Sequence, residues 1–464
     1  MEKTIKSNVM PRGAFTRLAI TTAMPIMIQN IIFTLVSSAD TIMLGYVSQD
    51  AMSASSLANQ LANIMFCAFY GLTAGASVLA SQYWGKGDRQ TIEKVLGLAV
   101  RISLFISVFF FVIAFFFPYA TMKVFTNEPG IIAEGVKYLR INSVSYILIG
   151  FSQIYLCVLR STDRLVLPTV TYIVSLVVNV SLNATFIFGL FGAPKLGLAG
   201  VALGTVAARV VEFAICLVDS LHNRVYKFRI KYVFAKSGLL MKDFMNLAVP
   251  SLVNDIVWSL ACSAYSVIMG HMGSDAVAAN AVAVMAVNIA AIACRGFANA
   301  TTILVSRPLG ENNKEASKVY SQRMLIITTI VSVAGGAILI LIRPWIVGFY
   351  AEGSKLTEGA LTLLNTMLLM QIIRLIGEGI NTCLICGCFR GGGDSKFGMK
   401  LDAIFMWLVA VPLMAGAAFV LKLPAIWVYL VMCLDEWYKM PPTFVHYFKY
   451  EWMKNITREK DEIA

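Results

Sequence analysis

Four acidic side chains lie within long apolar stretches of this 464-residue sequence: Asp40, Asp255, Glu378 and Asp402. An ionised carboxylate in a membrane interior is costly unless it is paired, hydrated or protonated. Asp402 lies near the start of its stretch, where we expect it to snorkel to the surface or pair with Lys400. The other three are candidates for binding a proton or another cation.

Two amides stand four residues apart, at Asn179 and Asn183, a spacing that puts them on one face of a helix. They offer two carbonyl oxygens and two amide donors to one point, and Thr205 adds a hydroxyl from the next stretch. Oxygen ligands suit either a proton relay or a hard monovalent cation. The alternative is a polar cluster that only holds helices together.

Arg295 also lies inside an apolar stretch, so we expect it to point into the protein and pair with an acid such as Asp255 or Glu378. Such an arginine would lower the pKa of that acid and alternate with a proton as its counter-ion. Arg374 precedes Glu378 by four residues, and an intrahelical ion pair between them is an equally open interpretation.

Twelve apolar segments are long enough to position these side chains across a membrane. With 58% hydrophobic and 14% charged residues and a mean hydropathy of +0.73, the chain lies outside the range of soluble globular proteins. The predicted helices are 17–44, 54–80, 95–118, 136–159, 166–190, 198–221, 245–270, 278–305, 323–347, 360–389, 399–421 and 424–445. A β-barrel is excluded because stretches such as 102–117 are apolar on every face.

The basic residues of the connections predict the orientation. Alternate connections, starting with the N-terminus, carry 27 Lys and Arg residues, and those between them carry six. Because such residues resist translocation, both termini are expected to be cytoplasmic. The net charge of +12 therefore reflects topology, and no nucleic-acid partner is expected.

An internal repeat divides the chain into halves. A shift of 225 residues places "PIMIQN" at Pro25 on "PSLVND" at Pro250, and "MLGYVSQDAMSA" on "IMGHMGSDAVAA". We therefore predict an N-lobe over 1–221, a basic cytoplasmic linker over 222–243 and a C-lobe over 244–464, related as parallel repeats. The acids are not repeated, because Asp40 falls on Tyr265 and Asp255 falls on Asn30.

Metal, redox and nucleotide chemistry lack support in the sequence. The nine cysteines fall mostly in apolar runs, and Cys383, Cys386 and Cys388 have no second ligand pair or nearby histidine, so packing is the favoured role. The three histidines lie near segment ends, and no phosphate-binding GxxxxGK[ST] loop occurs. We expect no catalytic residue, no cofactor, and no metal beyond a coupling Na⁺.

The sequence resembles the MATE (multidrug and toxic compound extrusion) family of transporters over essentially its whole length. The resemblance is carried by "SADTIMLGYV", "SQYWGKGD", "LRSTDRLVLP", "AGVALGTVAARVVE", "LAVPSLVNDIVWSL" and "FRGGGDSKF", in this order. It implies an all-α membrane protein of twelve helices in two pseudo-symmetric six-helix bundles. It also implies a bacterial-type, monomeric carrier in the plasma (inner) membrane that exports organic, often cationic, compounds against H⁺ or Na⁺.

The resemblance also assigns roles. Asp40, Asn179, Asn183 and Thr205 match the N-lobe cation site of the family, with the first three able to hold Na⁺. Asp255 and Glu378 fall near positions at which family members carry acids in the C-lobe. In the sodium-linked branch, however, the acid stands at the position of Trp258, three residues after Asp255. The pair Arg209 and Glu212, placed toward the inner end of the sixth helix, resembles a family signature, and we assign it to gating or lobe closure. Charge pairing is assigned to Arg295, Arg374 and Asp402 from their positions alone.

The substrate surface is the least defined part, and we name only Tyr70, Trp258 and Met285 as cavity candidates because aromatic and methionine side chains adapt to varied ligands. Two alternatives stay open. One is a flippase for lipid-linked precursors, which a wide basic cavity would favour. The other is an intramembrane enzyme, for which the few histidines supply little.

Overall fold

The computed structural model describes residues 9–223, 225–235, 238–353, 356–459 and 462, and its regular structure in this part of the chain is helical. The first half contains α1 (Arg12–Gly45), α2 (Gln49–Lys86), α3 (Arg89–Phe116), α4 (Pro118–Phe125), α5 (Pro129–Ser161), α6 (Val166–Phe188) and α7 (Leu198–His222), with a 3₁₀ turn at Leu190–Gly192.

The second half begins with α8 (Ile230–Phe234), a short helix after α7. It continues with α9 (Gly238–Gly270), α10 (Ser274–Gly310), α11 (Lys314–Gly353), α12 (Glu358–Thr382), α13 (Ser395–Ile404), α14 (Val411–Ala415), α15 (Ala425–Cys433) and α16 (Asp435–Lys449). Stretches of wider π-helix at Cys383–Phe389, Phe405–Ala410 and Gly416–Val420 continue or join these helices.

The twelve-helix prediction is confirmed. Eleven helices within the described residues are long and apolar enough to cross a membrane. The predicted twelfth helix, 424–445, is formed by α15 and α16, which meet at Leu434. It misses that criterion because the break at Leu434 leaves two helices of 9 and 15 residues, and α16 also carries Asp435, Glu436 and Lys439. The chain is thus a multi-pass membrane protein.

Side-chain caps set several helix starts. The Ser48 hydroxyl accepts a hydrogen bond from the Ala51 amide at 3.0 Å where α2 begins, and Asp88 accepts one from the Thr91 amide at 3.2 Å where α3 begins. Between these helices Gly87 adopts a positive φ of 77°, which terminates α2 at low steric cost. The short polar connections therefore specify tight turns between long helices.

The chain divides into two compact units. The N-unit comprises the described residues of Ile28–Ala248 and Thr457–Ala464, and the C-unit those of Met1–Met27 and Val249–Ile456. This division differs from the predicted lobes, because the start of α1 belongs to the C-unit and the start of α9 to the N-unit. The chain passes between units beside Pro25 in α1 and Pro250 in α9.

Packing explains the difference from the predicted boundaries. Phe15 in α1 is fully buried and stacks on Tyr320 of α11, with ring centroids 4.6 Å apart, so the first turns of α1 belong to the C-unit core. The described residues of the predicted linker 222–243 pack on α3 of the N-unit, where Arg229 pairs with Glu93 at 2.9 Å. They are therefore part of a folded unit.

Each unit has its own apolar core. In the N-unit, α2, α3, α5 and α7 bury Met65, Phe69, Tyr138 and Val201, with Ala54 and other small residues allowing close helix contact. In the C-unit, a second cluster on α9, α10, α12 and the segments after α13 buries aliphatic, methionine and tyrosine side chains. The two cores provide separate rigid frames for the polar residues.

Candidate functional site

Asp40 of α1 and Asn183 of α6 are joined by a short hydrogen bond in the N-unit, in which the Asn183 amide donates to Asp40 Oδ1 at 2.6 Å. The same amide lies 3.3 Å from Asn179 Oδ1, and the Asn179 amide donates to Thr205 Oγ1 at 3.3 Å. The four residues named by the sequence as an N-lobe site thus form one continuous chain, which we call the N-site.

Close packing of α6 against α7 builds the N-site. Gly204 precedes Thr205, and a Cβ at this glycine would collide with Asn183 Oδ1. Asn183 is fully buried, and its Oδ1 has no hydrogen-bond partner among the described residues. The N-site therefore holds a buried acceptor oxygen in addition to the carboxylate of Asp40.

A second charge pair lies on α7. Arg209 Nη1 contacts Glu212 Oε2 at 2.6 Å, and Glu212 is fully buried. Arg209 also lies within electrostatic range of Asp40. The pair stands in the middle of α7 (Leu198–His222), so its predicted position near the inner end of the helix is wrong. Its location ties the pair to the N-site.

The N-site consists of hard oxygen atoms: a carboxylate, two amide carbonyls and a hydroxyl. Such atoms bind protons or hard cations and have little preference for softer transition metals. One titratable carboxylate surrounded by neutral ligands can take a single positive charge. The arrangement is chemically suited to reversible binding of one H⁺ or Na⁺.

Asp255 of α9 pairs with Arg390 in the C-unit, with 3.1 Å between Nη2 and Oδ1. Of the two acids expected beside Arg295, Glu378 is the one that it contacts, at 3.3 Å. The expected pairing of Arg295 with an acid is therefore present, although its side chain is 40% exposed. Asp255 and Glu378 therefore have different basic partners.

Two of the other expected pairings do not form. Arg374 Nε lies 3.8 Å from Asp435 Oδ1, whereas its intrahelical pair with Glu378 was the expected alternative. Asp402 is buried and contacts Lys439 Nζ at 3.1 Å, so its expected snorkelling or pairing with Lys400 is wrong. Both corrections arise because α16 inserts charged side chains against α12 and α13.

The substrate-cavity candidates do not form a common group within either unit. Tyr70 lies in α2 of the N-unit and Met285 in α10 of the C-unit, and each is more than half exposed. Trp258 is half-buried and lies under the Arg295 guanidinium, 5.9 Å from ring centroid to Cζ. Of the three, Trp258 contacts a candidate charge-pairing residue.

The sequence interpretation missed a buried charged group on α16. Asp435, Glu436 and Lys439 are each at most 3% exposed, although Lys439 was counted among the cytoplasmic basic residues. The signal was present, because the three residues fall inside the predicted helix 424–445 at positions i, i+1 and i+4. Charges at this spacing within an apolar segment predict intrahelical and interhelical pairing.

Comparisons with known proteins match the whole architecture. The sequence model of the MatE family matches residues 25–185 and 250–415. The "Probable multidrug resistance protein NorM" of Thermotoga maritima is 22% identical over 443 residues, covering 94% of each chain, and that of Listeria innocua is 25% identical over 415 residues, covering 88% of this chain and 89% of the relative.

Solved structures share the fold at low sequence identity. A Vibrio cholerae MATE transporter, VcmN, superposes with a TM-score of 0.86 at 15% identity, covering 96% of this chain and 98% of its own. A transporter of the MOP superfamily from Pyrococcus furiosus superposes with a TM-score of 0.83 at 19% identity, covering 97% of this chain and all of its own. These similarities extend over both halves.

Proposed function

Because this chain belongs to the MatE family of membrane transporters, we propose that it exports small organic, often cationic, compounds in exchange for inward-moving protons or sodium ions. Relatives covering about nine-tenths of its length bear the name of multidrug resistance proteins, which supports a drug-like substrate class. The proposed location is the plasma membrane, with both termini cytoplasmic, as the distribution of basic residues favours.

The N-site carries the proposal for cation coupling. Asp40 is an acid in a membrane helix. Among the described residues, the Asn183 amide donates a hydrogen bond to its carboxylate at 2.6 Å, and neutral oxygen ligands surround that contact. When a cation binds to a carboxylate that has only neutral ligands, the net charge of the site becomes zero. Cation binding therefore changes the free energy of keeping the site within the membrane. Asp255 and Glu378 are less suited to this role because each already contacts an arginine.

The transport cycle would use the two six-helix halves as the moving parts. Parallel repeats of this kind suit alternating access, in which a central site opens to each side in turn. A cation binding at Asp40 would favour one state and its release the other, since a ligand shifts an equilibrium by its differential affinity for the two states. Export is then driven by the inward cation gradient.

Reconstituted vesicles test this proposal. The full chain is inserted into vesicles containing a fluorescent organic cation, and a proton gradient and a sodium gradient are imposed separately. We expect one gradient to stimulate transport in the wild type and Asp40→Asn to remove the stimulation. The matched control is Glu134→Gln, which neutralises a surface acid of the N-unit paired with Lys137. Stimulation by neither gradient would refute the antiport mechanism.

A further inference from the structure

Five charged side chains are buried together in the C-unit, each less than a tenth exposed: Arg374 on α12, Asp402 on α13, and Asp435, Glu436 and Lys439 on α16. We call them the α16 cluster. None of them belongs to the N-site, and the proposed transport mechanism uses none of the three residues on α16. Their burial requires a separate physical explanation.

Lys439 compensates two of the three acids. Its Nζ lies 3.1 Å from Asp402 Oδ1 and 3.0 Å from Glu436 Oε1. Glu436 Oε2 also accepts a hydrogen bond from the Asn381 amide at 2.8 Å. Each of these two carboxylates therefore has a cation and hydrogen-bond donors within contact distance.

Asp435 has the weakest hydrogen-bond and ion-pair contacts of the three acids. Its Oδ1 accepts a hydrogen bond from the Glu436 backbone amide at 2.7 Å, and its closest basic contact is Arg374 Nε, at 3.8 Å. Its Oδ2 is buried and has no hydrogen-bond partner in the described part of the chain. A charge on this carboxyl would be compensated mainly by Arg374, through a contact near the outer limit of an ion pair.

The charges of the α16 cluster do not balance. It contains three acids and two bases, and the neighbouring Glu378 on α12 is paired with Arg295. Asp402 also lies in electrostatic range of Arg390, but Arg390 is itself paired with Asp255, so these two residues add no net charge. The remaining titratable neighbours in electrostatic range are neutral thiols and phenols: Cys262 and Tyr265 on α9, Cys386 after α12, Tyr429 and Cys433 on α15, and Tyr438 on α16. One uncompensated negative charge in an apolar interior is unfavourable, and a buried acid avoids it by binding a proton.

Two further buried groups beside the α16 cluster lack a hydrogen-bond partner among the described residues. The Asn381 amide is directed at Glu436, while its Oδ1 has no partner among the described residues. The hydroxyl of Tyr265, at the repeat position of Asp40, is likewise buried and unpartnered in the described part, and it lies in electrostatic range of Asp435 and Lys439. The Asn381 oxygen can only accept, from a donor such as a carboxylic O–H, whereas the Tyr265 hydroxyl can donate or accept.

We propose that the α16 cluster is a proton-binding site, with one proton held on Asp435 so that the cluster is neutral. The second half thus carries, on α16, an acid that its first helix lacks at the position of Asp40. This site is distinct from Asp255 and Glu378. The inference concerns proton binding alone and holds whether or not export is coupled to protons.

Infrared spectroscopy of the full chain in lipid tests the site without substrate or gradient. A protonated carboxyl has a C=O band that carboxylates lack and that shifts in deuterated water. We expect Asp435→Asn to remove one such component of the wild-type band. Asp402→Asn should remove it as well, because either change leaves two acids with two bases and no excess charge. The matched control Asp394→Asn, at an acid paired with His446 and Lys454, should leave it unchanged.

Two results would overturn the proposal. One is retention of the complete band by both Asp435→Asn and Asp402→Asn in variants that circular dichroism shows to be folded. The other is removal of the wild-type component by NaCl at constant pH but not by choline chloride, which would identify Na⁺ as the ligand. A failure here leaves the vesicle experiment on Asp40 unaffected.

Discussion

Arg390 donates a hydrogen bond to Asp255 at 3.1 Å, and Arg160 donates one to Gln29 at 2.8 Å. The two arginines correspond in the internal repeat at an offset of 230 residues, where "VLRSTD" matches "CFRGGGD". Each half therefore holds an arginine against its first long helix, near the proline that the repeat preserves. The acceptor is a carboxylate in one half and a neutral amide in the other. The contact between the arginine and the helix is therefore common to both halves, whereas the negative charge of the acceptor is present in only one of them.

The first prediction concerns that charge. Asp255→Asn retains an acceptor oxygen for Arg390, as Gln29 does for Arg160, so we expect the free energy of unfolding to fall by only about 1 kcal/mol. Asp255→Ala leaves Arg390, whose side chain is only 13% exposed, without its carboxylate and should cost about 3 kcal/mol. Denaturant titration in mixed micelles measures both values, and equal losses would contradict the assignment.

The N-site is tested by its packing as well as by its acid. Gly204→Ala places a methyl group against Asn183 Oδ1, which should displace the amide from Asp40 and reduce gradient-stimulated export about tenfold, equivalent to 1.4 kcal/mol of binding. The matched control is Gly348→Ala in α11, where an added Cβ meets open space. Vesicle transport compares the variants, and equal activity in both would exclude a role for this contact.

Lys439 provides a test of stability. Lys439→Met leaves Asp402 and Glu436 without their shared cation, so we expect a loss of about 3 to 5 kcal/mol in the free energy of unfolding. Lys400→Met removes the partner first expected for Asp402 and should change stability by less than about 0.5 kcal/mol, as surface substitutions do. Thermal unfolding followed by tryptophan fluorescence measures the difference. A larger effect at Lys400 would restore the original pairing.

Arg295 is the last target. Arg295→Ala removes the contact with Glu378 and the cation–π contact with Trp258, and we expect coupled export to fall severalfold. Arg295→Lys keeps the charge but not the guanidinium plane, and should retain part of the activity. Transport in reconstituted vesicles distinguishes the two variants. Unchanged export by Arg295→Ala would remove this arginine from the mechanism.

Most of the fold could be predicted from the sequence because long apolar segments and a 225-residue repeat leave few alternatives. The N-site could also be anticipated, since Asn179 and Asn183 share a helix face at any register. The partners of Arg374 and Asp402 could not be predicted, because the spacing of residues along one helix gives no information about charged side chains from another helix. Lys439 shows this most clearly, because it was counted among the basic residues of the cytoplasmic connections and is only 2% exposed.

The first turns of α1 belong to the C-unit and those of α9 to the N-unit, and this has a mechanical consequence. Both long helices that connect the units, α1 and α9, contain a proline within two residues of the crossing. Proline cannot donate the amide hydrogen bond that would stiffen the helix one turn earlier, so bending compliance is concentrated at these two points. The remaining crossing, between Ile456 and Thr457, lies outside regular helix. Elastic strain would therefore be absorbed by three short stretches of chain while the polar sites within each unit keep their geometry.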